Sequence, residues 1–432
     1  MAKKTISDYK PFDTSKKPKK PMNLLMPIEW GGTAALSLPV GAKVRKHGME
    51  DLKPPYLLLC NHAAFIDFPL VVKGTFPHKV NWVISIEEFN KREFLMRGIG
   101  GIYKRKFTSD LRVVRHMLTV LKKRKGIVVM YPEARFSLAG VNEQLDGAIG
   151  KFVKTAKCPV VVLISKGNFI SSPQWNKNPH RNIPVSADMT QIVTAGEAQT
   201  LTAEEIQKRI EEAFVYDDYK WQKENDIHVK SKYRAHNIHR ILYQCPVCGK
   251  EFSTRSRYTK IWCENCHAEW EMDELGQLIR LDGDNVFTHV PDWYRWEREQ
   301  VREQVRRGEY RFEDDCRLEQ LVNCSDAGFI PLGTVHLTHD ENGFTMNGTL
   351  DDGTEFKFNR TVKSMYSCHI EYNFKKRGDA IDLATLNETY FVFPLNAFNC
   401  LTKIHFAAEE LHRAEKDSKA GDGSEKTPPD GE

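Results

Sequence analysis

From about residue 55 to 170, short continuous apolar runs alternate with stretches of helical period. Tyr56-Leu-Leu-Leu-Cys60, Trp82-Val-Ile84, Gly126-Ile-Val-Val-Met-Tyr131 and Pro159 to Ile164 lack polar alternation, so they predict strands buried on both faces, the pattern of an α/β sheet. Between two of these runs Leu111, Val114, Leu118 and Leu121 share one helical face, and Arg112, Arg115, Lys122 and Lys123 point elsewhere. Thr202 and Glu205 form a capping box, which predicts a helix starting there and running towards Trp221. The text changes at residue 245, where a Cys-rich segment begins, and a charged stretch from Trp293 to Arg307 predicts a further helix.

After residue 320 short alternating runs are separated by turn signals. Thr334 to Thr338, Phe344 to Met346, Phe356 to Phe358 and Tyr390 to Phe393, with turns at Asp340 to Gly343 and Asp351 to Gly353, predict antiparallel hairpins. A last helix carries Leu401, Ile404 and Leu411 on its apolar face, and from Glu415 the tail has the composition of a disordered segment. No internal repeat is present.

Composition adjusts this picture in three places. At 432 residues, 41% hydrophobic and 28% charged, the chain is globular and long enough for two or three domains. The net charge of +5 is modest, but Lys3, Lys4, Lys10, Lys16, Lys17, Lys19 and Lys20 gather in the first 22 residues, which predicts a flexible cationic arm suited to an anionic leaflet. Thr5 to Tyr9 supplies no apolar segment behind those lysines, and no window approaches the ~18 apolar residues of a spanning helix, so the expectation is a cytoplasmic protein in peripheral contact with the membrane. Ten cysteines without an export signal favour metal ligation and free thiols over disulfides.

The candidate chemistry begins at Leu57-Leu-Leu-Cys-Asn-His-Ala-Ala-Phe-Ile-Asp67, which puts His62 and Asp67 just past a buried strand, where α/β sheets keep their ligands. A neutral imidazole can take an alcohol proton at neutral pH, and a carboxylate on its other nitrogen fixes tautomer and orientation. Spacing alone does not single the pair out, since His412 and Asp417 repeat it in a polar stretch. The order of blocks does. Asn61-His-x4-Asp67, Gly101-Ile-Tyr-Lys-Arg-Lys106, Tyr131-Pro-Glu-Ala-Arg-Phe-Ser137 and Cys158-Pro-Val-Val, in that order over roughly residues 45 to 215, resemble the glycerolipid acyltransferase family that makes phosphatidic acid.

That resemblance implies an acyl thioester of coenzyme A or acyl carrier protein as donor and a glycerolipid hydroxyl as acceptor, 1-acyl-glycerol-3-phosphate by default. It implies His62 as general base and Asp67 as its orienting partner, with Asn61, Glu133, Arg135 and Ser137 at the acceptor site. Two departures bear on the acceptor. The family's third block reads Phe-Pro-Glu-Gly-Thr-Arg-Ser, whereas here Ala134 stands for Gly, Arg135 for Thr and Phe136 for Arg, and Arg105-Lys106 stands where Asp-Arg is usual. Lys104, Arg105, Lys106 and Arg135 are the candidates to clamp a phosphate. The alternatives are another lysophospholipid, a non-phosphorylated alcohol, or a non-catalytic scaffold with a vestigial fold.

Cys245-Pro-Val-Cys248 and Cys263-Glu-Asn-Cys266 supply four thiolates for a tetrahedral structural zinc, an arrangement that looks like a zinc ribbon. Lys250, Arg255, Arg257 and Lys260 with Phe252, Tyr258 and Trp262 suit a solvated or membrane-facing ribbon better than a nucleic-acid surface. The terminal β module with its helix is reminiscent of a pleckstrin-homology-like fold. The expected organisation is a basic arm at 1–22, an α/β acyltransferase domain at 23–240, a zinc ribbon at 241–280, a helical linker at 281–320, a β-rich module at 321–414 and a disordered tail at 415–432.

Overall fold

Seven strands of the first half follow the apolar runs: β1 (Lys43–His47), β2 (Tyr56–Cys60), β3 (Val80–Ser85), β4 (Ile102–Lys104), β5 (Ile127–Met130), β6 (Val160–Lys166) and β7 (Ser186–Val193). They form one sheet in the order β1-β7-β6-β2-β5-β3-β4, in which only the β6/β7 pair is antiparallel. Alternate residues of the central strands enter two separate cores: Leu57, Leu59, Val128 and Val162 on one face, Leu58, Cys60, Val129 and Leu163 on the other. Burial on both faces is why these strands read as unbroken apolar runs. The computed structural model describes residue 9 and residues 12–176, 181–322 and 328–422.

β8 (Thr254–Arg257), β9 (Lys260–Cys263), β10 (Glu269–Met272) and β11 (Leu278–Arg280) make a small antiparallel sheet. The helix Val290–Arg306 follows. β12 (Phe312–Leu321), β13 (Phe329–Asp340), β14 (Gly343–Thr349), β15 (Glu355–Arg360), β16 (His369–Glu371), β17 (Ala380–Ala384) and β18 (Thr389–Pro394) make an antiparallel sheet ordered β15-β14-β13-β12-β18-β17-β16, and the helix Leu401–Asp422 packs on it.

These parts share a core rather than hanging as beads. One apolar cluster runs from Phe107, Leu138 and Phe169 through Ile261 and Trp270 to Leu337 and Phe406. The stretch expected to be a linker lies in the middle of it: Trp293, Tyr294 and Val301 are buried, Trp293 Nε1 donates to Gln244 O at 2.9 Å, and β12 begins at Phe312 inside that stretch. Trp293 and Tyr294 are therefore core residues.

Four local expectations change. The buried face of the Leu111–Leu118 helix carries Val113 and Met117, continued by Val120 and Leu121, while Leu111 is exposed beside the N-cap Asp110. The capping box at Thr202 and Glu205 is present, but that helix ends at Ala213 and a separate one, Asp218–Glu224, carries Trp221. Residues 12–22 are a strap rather than a loose arm: the Phe12 ring packs edge-on against Phe89 and Tyr103, and Arg97 and Arg124 donate to the carbonyls of Asp13 and Pro18 at 3.0 and 2.6 Å. Lys16, Lys17, Lys19 and Lys20 stay exposed on that strap, and Lys3, Lys4 and Lys10 lie outside the described residues. The terminal helix continues through Asp422, past the expected start of disorder at 415, and residues 423–432 lie outside the described residues. No described helix is long and apolar enough to cross a membrane.

Candidate active site

The carboxyl ends of β5, β2 and β6 lie side by side, and the loops leaving them converge. The loop after β2 carries His62, and Asp67 opens the helix Asp67–Thr75. His62 Nδ1 lies 2.9 Å from Asp67 Oδ2, with the imidazole 24% exposed and the carboxyl 1% exposed. Oδ2 also accepts from the amides of Ala63 at 2.6 Å and Ala64 at 3.0 Å, and Oδ1 accepts from Ser165 Oγ at 3.3 Å and from Asn168 Nδ2. A carboxyl held by donors on both oxygens cannot swing, so it fixes the imidazole with Nδ1 protonated and Nε2 facing outward. Nε2 has no hydrogen-bond partner among the described residues.

The ring is also clamped from its sides. Tyr131 stacks on it with centroids 4.1 Å apart, and Phe136 lies against it at 4.1 Å. The backbone is pinned as well: His62 N donates to Glu133 Oε2 at 3.2 Å, and Ser137 N donates to His62 O at 2.7 Å. Glu133 further accepts from Glu143 N at 3.0 Å and Tyr216 OH at 3.2 Å; its burial pushes the carboxyl up to about 8 against the Glu143 and His62 amides. The structure thus brings His62 and Asp67 together as a braced, hydrogen-bonded pair.

The other expected acceptor contacts are turned inward. Asn61 is buried and staples β2 to β6, its Oδ1 accepting from Ser165 N at 2.7 Å and its Nδ2 donating to Ser165 O at 3.0 Å. Ser137 Oγ donates to Val141 O at 2.8 Å. Arg135, whose side chain is 1% exposed, pairs with Glu409 Oε1 at 2.6 Å and Glu143 Oε2 at 3.3 Å and donates to Ser367 Oγ at 2.8 Å. Lys106 pairs with Asp382 at 3.3 Å, Arg105 donates to the carbonyls of Leu386 and Asn387, and the half-buried Lys104 donates to Thr108 O at 2.8 Å. Of the cations expected to clamp a phosphate, Arg105, Lys106 and Arg135 are turned inward onto carboxylates and carbonyls of the C-terminal module, which closes over the second and third motif blocks, and Lys104 is held within its own loop. Phe136, which stands where the resembled family has arginine, lays an apolar ring against His62.

Glycine in the family's third block also finds its reason. Ala134 sits in the left-handed region at φ 56°, a conformation glycine adopts freely and alanine at a cost. The amides of Ala63, Ala64, Ala134 and Ser137 are all engaged, the third with Tyr131 O at 3.1 Å.

The four cysteines stand together at the edge of the small sheet. Their Sγ atoms all lie within 4.8 Å of one another, with Cys245 to Cys266 at 3.7 Å and Cys248 to Cys263 at 3.8 Å. A tetrahedron with ~2.3 Å metal–sulfur bonds has edges of about 3.8 Å, so the set fits a four-thiolate ion. Each knuckle ends in a left-handed residue, Gly249 at φ 71° and the exposed His267 at φ 61°. All nine described cysteines are free of disulfides. The rest of the ribbon leans on the C-terminal module, with Arg255 4.4 Å from the Phe398 ring centre and Lys403 paired to Glu251 at 2.7 Å.

Sequence reading missed the residues that brace the site: Ser165 and Asn168 behind Asp67, and Glu143, Ser367 and Glu409 around Arg135. The His412 that repeats the spacing lies on the terminal helix, its Nδ1 2.9 Å from Val362 O, and has no part in the site.

Comparison with known proteins gives residues 43–166 as a match to the family model described as Acyltransferase. The solved structure of the 1-acyl-sn-glycerophosphate (LPA) acyltransferase PlsC from Thermotoga maritima is similar to this chain at 16% identity, covering 44% of this chain and 77% of that one, with a TM-score of 0.35. No curated protein matches the chain.

Proposed function

From the acyltransferase-family domain at residues 43–166 we propose that the chain moves a fatty acyl group from a thioester of coenzyme A or acyl carrier protein to a glycerolipid hydroxyl. The observation that carries this reading is the imidazole of His62, braced on Nδ1 by Asp67 and open on Nε2. Nε2 removes the acceptor's proton as its oxygen bonds to the thioester carbonyl carbon. Collapse of the tetrahedral intermediate breaks the carbon–sulfur bond, and the leaving thiolate takes the proton from the imidazolium. Asp67 stabilises that transient charge. Among the described residues the neighbouring Cys60 thiol is buried and its burial pushes it well above the ordinary thiol range, which supports direct attack over a covalent acyl-enzyme.

The default acceptor is 1-acyl-glycerol-3-phosphate. A second reading, an acceptor without a phosphomonoester, is favoured by the internal engagement of Arg135, Arg105 and Lys106 and by Phe136 against the base. The cysteine set would hold a structural zinc, whose coordination helps fold a small sheet with little core of its own. Contact with the cytoplasmic face of a membrane is supported by exposed apolar side chains around the helix Met26–Ser37, with Leu24, Ile28, Leu38 and Phe76 all more than half exposed. Trp30, Ala34, Leu38 and Phe76 also line a groove of about 530 Å³ there, with Lys43 at its side. The seven-strand order with a closing helix supports the pleckstrin-homology-like reading of the C-terminal module. A panel of acceptors with one labelled acyl thioester tests the function. Labelled phosphatidic acid formed from 1-acyl-glycerol-3-phosphate supports the default, product only with acceptors that lack a phosphomonoester supports the second reading, and no product with any hydroxyl acceptor refutes both.

A further inference from the structure

We propose that Glu409, on the terminal helix, is a positioning residue of the His62 site, acting through Arg135 on the 131–137 turn that clamps the imidazole. The proposal rests on the reading of His62 as the base. Glu409 lies some 350 residues from His62 in sequence, and the path between them is short in space.

Glu409 Oε1 accepts from Arg135 Nη2 at 2.6 Å and from Ser367 Oγ at 2.8 Å, and that hydroxyl accepts in turn from Arg135 Nη1 at 2.8 Å. A second carboxyl, Glu143, pairs with Arg135 at 3.3 Å and with Arg298 at 3.1 Å, and Arg298 returns to Glu409 Oε2 at 2.5 Å. Arg135, Glu143 and Glu409 are at most 2% exposed, so neither salt nor water substitutes for these pairs.

Three links lead from this network to His62. Residue 136, next to Arg135, puts its ring against the imidazole, and residue 137 donates its amide to the His62 carbonyl. Glu143 N donates to Glu133, which receives the His62 amide. On the other side of Arg135, Ala134 is held at φ 56°. A non-glycine residue keeps that conformation where its surroundings over-determine it, and a buried arginine locked by two carboxylates from outside the turn does so. The module beyond residue 312 thereby takes part in the site without touching substrate.

The test uses the full chain. Glu409→Gln keeps size and one acceptor oxygen but removes the charge. Acyl-transfer kinetics and ¹⁵N-imidazole NMR, with the His62 signal assigned by its loss in His62→Ala, are read for Glu409→Gln, Ser367→Ala and the remote core variant Phe344→Leu. The expected result is a fall in kcat of ~10–100-fold for Glu409→Gln at a KM within threefold of wild type, a smaller fall for Ser367→Ala, and a displaced or broadened His62 Nδ1 signal in both. Phe344→Leu should lower the thermal midpoint and leave kcat per folded molecule and the His62 signal unchanged. If Glu409→Gln does not fold, Ser367→Ala decides alone. Wild-type kcat and an unmoved His62 signal in the folded variants overturn the proposal, as does a loss of rate matched by Phe344→Leu at equal folded fraction. If wild type transfers no acyl group, the acyl-transfer reading fails while the NMR arm still decides whether Glu409 positions His62.

Discussion

Asp67→Asn isolates the charge of the orienting group from its geometry. In wild type Oδ2 receives His62 Nδ1, Ala63 N and Ala64 N, whereas Oδ1 receives Ser165 Oγ and Asn168 Nδ2. An asparagine oxygen placed at the Oδ2 position keeps the first three bonds. Its amide then faces Ser165 Oγ, which can accept, and Asn168, which can turn its own oxygen towards it. The ring should keep its tautomer and pose, so the loss is electrostatic. With charge centres ~4–5 Å apart and an effective dielectric of ~20, an imidazolium gains about 4 kcal/mol from the carboxylate. Because that charge exists only after proton transfer begins, the loss falls on the barrier and amounts to roughly 10³ in kcat. Steady-state kinetics with a labelled acyl thioester, together with a thermal melt, measure both halves. A kcat within threefold of wild type refutes the reasoning, since the carboxylate would then be structural only.

Arg135→Ala should act on stability rather than on acceptor affinity: leaving the buried Glu143 and Glu409 with Arg298 as their remaining arginine costs about 3 kcal/mol in urea denaturation, and a near-neutral change contradicts the buried network. The same network sets the acid limb. Burial raises the Glu143 carboxyl, but Arg135, His405 and Arg298 outweigh it and hold it at about 2, below its ordinary 4.5. Its contribution is therefore complete above pH 4.5 and lost as pH falls towards 2, and Glu143→Gln should flatten the urea midpoint over that window. Metal analysis should find about one zinc per chain, lost in Cys248→Ser together with the fold of the small sheet; a folded, metal-free wild type contradicts the site.

How much of this was legible depended on how local the cause was. The buried strands, the Thr202 capping box and the paired cysteine knuckles are each specified by a few neighbouring residues, and they stand where the sequence puts them. The Leu111 face was misjudged by a residue or two because two apolar stripes share that helix and only packing chooses Val113 and Met117. The fate of Arg135 was illegible for a different reason. Its partners, Glu143, Ser367 and Glu409, come from three distant elements, and nothing near residue 135 signals that a C-terminal helix will close over it. His62 and Asp67 were readable as a pair only through the block order, since His412 shares the spacing without the site.

The most direct measurement is transfer of a labelled acyl group from a thioester to a glycerolipid hydroxyl by wild type and by His62→Ala, each confirmed folded by its thermal midpoint. The imidazole is partly exposed and, among the described residues, its side-chain hydrogen bond is to Asp67, so the midpoint should barely move while the rate falls by about 10²–10⁴-fold. Transfer by His62→Ala at the wild-type rate contradicts His62 as the base.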